Sequence, residues 1–180
     1  MAVVWLLGLS QIIGYGTLYY SYAILAHSAA PSLGWPETWL FGALSVGLLL
    51  GGLAAPEVGK CIDRHSAGAV MALGSVVASV ALLVAGTAVN GPVFASATVV
   101  MQIAGTLVLY DAAFTALVQV TGDEARKRIT HLTLIAGFAS TIFWPLTSWL
   151  DAGLGWRNVF IIFAIANLLI CVPVHALLGR

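Results

Sequence analysis

The 180 residues carry seven basic and seven acidic side chains, so 8% of the chain is charged against 61% hydrophobic. That charged share lies far below the roughly one quarter usual in soluble domains and excludes a surface facing water. The zero net charge removes the electrostatic case for nucleic acid. Apolar residues come in blocks of about twenty, the length that crosses roughly 30 Å of hydrocarbon as helix. The expectation is an all-α, polytopic membrane protein with the lipid bilayer as its first partner.

Six transmembrane helices are expected, over residues 3–26, 36–58, 67–89, 93–120, 129–149 and 158–177, forming a single bundle over residues 1–180. The first block lacks a basic flank, so it reads as a membrane helix rather than a removable signal. Its middle is polar for a lipid-facing segment. Gln11, Tyr15 and Tyr22 fall near one face by helical spacing, and Tyr19 follows Tyr15 by one turn. Two readings stand: hydroxyls bonded to neighbouring helices, or the lining of a water-filled cavity. A turn is expected over 27–36, around Pro31, Gly34 and Pro36.

The second helix repeats small residues at Gly47, Gly51, Ala55 and Gly59, a stripe that allows close helix contact. Between it and the third block lies a charged island, Gly59-Lys60-Cys61-Ile62-Asp63-Arg64, read as a hairpin loop. Asn90-Gly91-Pro92 predicts a turn.

The fourth helix holds Asp111, the one acid well inside a span. An isolated carboxylate there costs about 2.5–3.5 kcal/mol on insertion scales, so it must face the bundle interior, be protonated or be paired. Function and a structural hydrogen bond are both open to it, and His131 is within conceivable reach across the short connection. The fifth helix offers Ser140 and Trp144 on a drifting face, suited to a substrate path or to tight packing, with Pro145 as a kink. His175 and His27 read as interfacial residues.

Six of the seven Lys and Arg residues (Lys60, Arg64, Arg126, Lys127, Arg128 and Arg180) fall at one end of this arrangement, and Arg157 at the other. The positive-inside rule puts both termini in the cytoplasm. Trp35, Trp39, Trp149 and Trp156 gather at the opposite end as an outer belt. Cys61 and Cys171 lack metal-ligand spacing, and neither a phosphate loop, a zinc spacing nor a nucleophile elbow is present. No cofactor, metal or enzymatic activity is expected.

Gly59, Asp63 and Arg64, at glycine-x-x-x-aspartate-arginine spacing between the second and third helices, resemble the loop signature of the major facilitator superfamily. That signature continues with glycine and basic residues, where this chain has His65-Ser66-Ala67-Gly68. Gly155-Trp156-Arg157 is similar to the turn before that family's sixth helix, and the runs 16–21 and 139–145 look like a bacterial branch of it. Met101-Gln102 stands where the family often has arginine. The resemblance implies one amino-terminal, six-helix half of that fold, an inverted three-plus-three repeat, in a bacterial inner membrane. It further implies a secondary carrier of a small organic solute by alternating access, with an inner gate at Asp63 and Arg64; an unpartnered Asp111 is the group that a proton-coupled carrier of this kind could exploit. It needs a second six-helix half as partner, either a carboxy-terminal half or a second copy. The alternative is a non-transporting six-helix module or inactive half.

Overall fold

The computed structural model describes residues 2–179, and every regular element among them is helical. Helix α1 (Ala2–Tyr15) passes through a π-helical turn, Gly16–Tyr20, into α2 (Tyr22–Leu33). Then come α3 (Glu37–Arg64), α4 (Ala67–Gly86), α5 (Gly91–Val108) and α6 (Tyr110–Thr121). A short 3-10 turn, Gly122–Glu124, leads to α7 (Ala125–Ala136) and α8 (Ala139–Leu154). The chain closes with α9 (Trp156–Ala166), a second π turn (Asn167–Cys171) and α10 (Val172–Leu178).

Among the described residues, five helical stretches are long and apolar enough to cross a membrane: Val3–Leu33, Glu37–Arg64, Ala67–Gly86, Gly91–Leu154 and Trp156–Leu178. The fourth has 64 residues, roughly 95 Å at about 1.5 Å per residue and far more than one crossing needs. Contacts with the first stretch show that it doubles back. Going up α1 and α2, Gln11 meets Val108, Leu18 meets Gln102 and Tyr22 meets Thr98, a descending order. Meanwhile Gly16 meets Phe143, Ser21 meets Thr147 and Ser28 meets Asp151, an ascending order. The two arms are antiparallel, and the reversal is at Gly122, where φ is +52°.

Several expected boundaries shift. Pro31 does not end its helix; α2 runs on to Leu33 and stops at left-handed Gly34, whose φ of +62° suits glycine. Proline so close to the end sacrifices only one late hydrogen bond. The island Gly59–Arg64 is not a loop but the last turns of α3, because glycine, lysine and arginine can all continue a helix into the polar interface. The break comes at His65, and Ser66 then caps α4 by accepting from the Ala69 N–H. Asn90 does the same for α5 through Val93. The gap expected between the helices over 129–149 and 158–177 shrinks to Gly155, since α8 continues to Leu154 and α9 begins at Trp156. Pro145 lies inside α8, whereas the interruption of that arm falls at Gly137 and Phe138.

Two apolar cores stack along the bundle. One gathers Tyr22, Leu25, Leu82, Phe94, Met101 and Phe160; the other gathers Leu7, Ile62, Met71, Leu117 and Leu132. A polar layer separates them, with Ser10, Gln11, Thr17, Ser75, Asn167 and His175 all buried. His175 is therefore no interfacial residue. Its Nε2 lies 2.9 Å from the Ser10 hydroxyl and its Nδ1 2.8 Å from the Ser75 hydroxyl. Ser10 already donates to the Leu7 carbonyl, so it accepts from Nε2–H and Ser75 donates to Nδ1. Both ring nitrogens are filled as in a neutral imidazole, and α1, α4 and α10 are tied together.

The small-residue stripe is used within the chain. Gly47 and Gly51 are buried against α5, while Gly59 faces open space. A Cβ at Gly47 would lie 2.9 Å from the Gln102 Cβ and 3.1 Å from the Val99 Cα. Gly47→Leu should therefore lower the detergent-solubilised unfolding midpoint, with an overpacking cost of about 1–3 kcal/mol. A Cβ at Gly52 meets nothing within 4 Å, so Gly52→Leu should leave the midpoint nearly unchanged. Equal shifts for the two would refute the α3–α5 contact.

Candidate functional site

The helical interruptions nearest the bundle middle build a cavity. At Leu109 the backbone turns extended, with φ −84° and ψ −159°. The helical ladder goes from Leu109 N–H on Gly105 to Ala113 N–H on Leu109, which leaves the Val108 carbonyl outside it. The buried Gln11 amide supplies the missing donor, 2.7 Å away. Across from it, the π turn in the first stretch closes with Ser21 N–H on the Gly16 carbonyl, and the Gln102 amide donates to the Leu18 carbonyl at 2.8 Å. Two glutamines thus hold two irregular backbone segments face to face.

Between these segments is a cavity of about 320 Å³, lined by Tyr15, Tyr19, Gln102, Thr106, Tyr110 and Asp111, with Leu48, Gly105 and Leu109 completing the wall. Tyr15 and Tyr110 stack obliquely at 4.6 Å, and Tyr110 stacks on Phe114 at 5.1 Å. Asp111 is exposed to this space, and no ion pair involves it among the described residues. It occupies the first turn of α6, where backbone N–H groups lack helical acceptors and the helix dipole favours a negative charge. Ten residues separate it from Thr121 at the end of that arm, about 15 Å of helix, or half the hydrocarbon thickness.

The expected pathway residues divide. Tyr15, Tyr19 and Asp111 line the cavity together. Gln11 lies behind the wall as a structural donor, its Oε1 buried without a partner among the described residues. Tyr22 is 1% exposed and donates to the Leu40 carbonyl at 2.8 Å, so it belongs to the core. The π turn explains this: one extra residue rotates the remainder of the helix by about 100°, one residue's share of an α-turn. Ser140 is half-buried on α8 and Trp144 is 50% exposed there, and neither lines the cavity. His131 lies elsewhere, beside Lys127 and Arg128 at the bundle end.

Gln102, Thr106 and Tyr110 were not singled out by sequence reasoning. The signal available was Gln102 itself, an amide within an otherwise apolar run, at the place where the resembled family often carries arginine.

The two loop motifs differ in what they hold. Gly155 adopts φ +77°, reserved for glycine in practice, and starts α9. Trp156 is 7% exposed, hence core rather than belt, and its Nε1 donates to Ser32 at 2.9 Å. Arg157 sits 4.2 Å over the Trp156 ring and donates to the Ala88 carbonyl, tying three loops at one end. Trp35 and Trp39 pack edge to face at that end too, with Trp39 and Trp149 well exposed. At the other end, Asp63 and Arg64 are exposed and enter no ion pair among the described residues, while Glu57 takes Lys60 at 2.6 Å. Arg126, Lys127 and Arg128 share that end; Arg180, counted with them, lies outside the described residues. Cys61 is exposed and Cys171 buried, and both are free.

No protein-family model matches the chain, and no curated protein matches it. The family resemblance rests on the sequence motifs.

Gln11→Leu should lower the unfolding midpoint, because the Val108 carbonyl loses its donor. Hydrogen bonds between membrane helices average about 0.6 kcal/mol and reach about 1.7, and a carbonyl outside the helical ladder belongs near the upper value. Ser140→Ala, with no side-chain bond to lose, serves as the reference. A Gln11→Leu midpoint no lower than that of Ser140→Ala would remove the glutamine's structural role.

Proposed function

We propose that this chain is a six-crossing half of a secondary transporter, with the Asp111 cavity as its solute site. The observation that carries the reading is the cavity itself: an ionisable carboxylate, three tyrosines and a glutamine gathered near mid-bundle in a chain 8% charged. An ionisable group at that depth of an apolar bundle is a functional candidate because such groups face the bundle interior or a water-filled cavity and mark solute or proton pathways. Counting the antiparallel arms of the 64-residue stretch separately gives six crossings. The first crossing of each group of three is interrupted, at Gly16–Tyr20 and at Leu109, as are the fifth at Gly137–Phe138 and the sixth at Asn167–Cys171, but only the first two interruptions border the cavity. Paired interruptions at corresponding positions are the arrangement that inverted-repeat carriers use for their solute sites. The likeness of 59–64 and 155–157 to the major facilitator superfamily supports the same assignment.

In this reading the end holding Lys60, Arg64 and Arg126–Arg128 is cytoplasmic, by the positive-inside rule. The solute is small and organic, with hydroxyl or cationic groups able to meet Asp111 and the tyrosines. The cavity opens on one side, and a second six-helix unit completes it there. Asp111 exchanges a proton with the cytoplasm during the cycle.

Reconstitution of the full chain into proteoliposomes tests this. Uptake of at least one member of a panel of small amines, amino acids and polyols should exceed that of protein-free vesicles and depend on a pH gradient. Asp111→Asn should reduce it at least tenfold while inserting normally. Gradient-independent uptake that Asp111→Asn leaves intact would end the proton-coupled reading, and no uptake of any panel member would favour the non-transporting module.

A further inference from the structure

At the basic end of the bundle, α7 carries two adjoining cavities that share one wall. The first, about 420 Å³, is lined by Asp123, Glu124, Lys127, Arg128 and His131. The second, about 350 Å³, is lined by Val4, Trp5, His131, Leu134 and Ile135. His131 is the partition. By helical spacing the lining residues 127, 128, 131, 134 and 135 follow one face of α7, passing from charged to wholly apolar. From Lys127 to Leu134 is seven residues, about 10 Å along the axis. That distance runs from the polar layer of a leaflet, roughly 5–7 Å deep, into the hydrocarbon. Trp5, 63% exposed beside the apolar cavity, suits that boundary.

The charges in the polar cavity are not equivalent. Glu124 and Arg128 pair with each other through Nε and Nη2. The Arg128 guanidinium holds the Glu124 carboxyl below the usual range, first by hydrogen bonding and then by its charge. That leaves Asp123 and Lys127, one of each sign and one turn apart, and neither enters an ion pair among the described residues. An anionic headgroup would meet Lys127 but also the uncompensated Asp123. A headgroup bearing both signs satisfies both.

We infer that this pair of cavities binds an aminophospholipid. Its ammonium sits on Asp123, its phosphate on Lys127, and one acyl chain passes His131 to lie along Val4, Trp5, Leu134 and Ile135. Asp123 prefers a primary ammonium, which donates hydrogen bonds, over a quaternary one, which does not. The inference requires a membrane-embedded bundle and does not depend on transport.

Native mass spectrometry of the purified full chain provides the test, with phosphatidylethanolamine, phosphatidylcholine and phosphatidylglycerol of identical acyl chains offered at equal mole fraction. Phosphatidylethanolamine adducts should be retained in preference to the other two. Near the membrane surface one charge is worth about 1 kcal/mol, about fivefold in affinity. Asp123→Asn should lower phosphatidylethanolamine retention by about that factor and erase its lead over phosphatidylcholine. Lys127→Gln should weaken all three lipids. Both positions are exposed, so the variants should fold, checked by an unchanged unfolding midpoint. Preference for phosphatidylglycerol, equal retention of the three lipids, or indifference to Asp123→Asn would each overturn the assignment.

Discussion

The constraint on which this structure depends is that backbone amides and carbonyls inside hydrocarbon must be satisfied by the protein itself. An unbroken helix meets it without help. This chain breaks its helices at Gly16–Tyr20, at Leu109, at Gly137–Phe138 and at Asn167–Cys171, all within apolar stretches. Backbone bonds alone bridge the third, and a nearby polar side chain meets each of the others. Gln11 takes the Val108 carbonyl, Gln102 the Leu18 carbonyl and Ser21 the Gly16 carbonyl. Asn167 donates to both the Phe163 carbonyl and the Thr17 hydroxyl, joining the two π turns. Gln11, Thr17 and Asn167, the part of the polar layer nearest the breaks, serve this irregular backbone, while Ser10, Ser75 and His175 bond one another.

Irregular backbone at membrane depth is tolerated where it is buried or lines a cavity, and both cases occur. The second π turn packs on α1 and α4 through its buried Asn167 and Cys171, while Leu168, Leu169 and Ile170 point outward. The first, together with Leu109, borders the space in front of Asp111. The exposed surfaces differ accordingly. On α4 and α9 they are almost wholly apolar, with Leu73, Val76, Val80, Ile162 and Ile165 outward, as contact with lipid tails requires. Around the cavity the exposed groups include Tyr19 and Asp111. Helix polarity adds to the asymmetry, since Asp111 starts α6 where the dipole accommodates its charge without a cation.

Much of this was legible in the sequence because apolar block length and proline, glycine and asparagine punctuation are strong signals. They supplied the helical class, the turn at Asn90–Pro92, and the basic end. Tyr15, Tyr19 and Asp111 could be grouped because two lie one helical turn apart and the third is the lone intramembrane acid. What could not be read was the π turn. It has no residue signature, yet it changes the facing of every side chain after it, so Tyr22 went to the core instead of the cavity. The Leu109 break was hidden for a similar reason. Leucine does not advertise an extended backbone, and the compensating donor, Gln11, lies 97 positions before its partner Val108. His175 was misjudged because its partners, Ser10 and Ser75, are equally remote in sequence. Ser140 and Trp144 were plausible by composition alone, and composition does not say which side of α8 meets a neighbour.

The same polar layer bears on how the bundle can move. Ser10, His175 and Ser75 connect α1, α10 and α4, and Asn167 joins the first stretch to the last. Separating those helices would strand several buried polar groups at once, each costly in a low-dielectric interior. Helix α3 is held differently, by the close approach of Gly47 and Gly51 to α5 and by a few bonds to its backbone at Leu40 and Ile62. Its remaining surface, including Leu48 at the cavity edge, is open. A bundle so cross-linked at its middle resists internal rearrangement more than displacement as a whole. Under the carrier reading, access to Asp111 therefore changes by rigid-body motion against a second unit, with α3 and the cavity rim at the moving boundary.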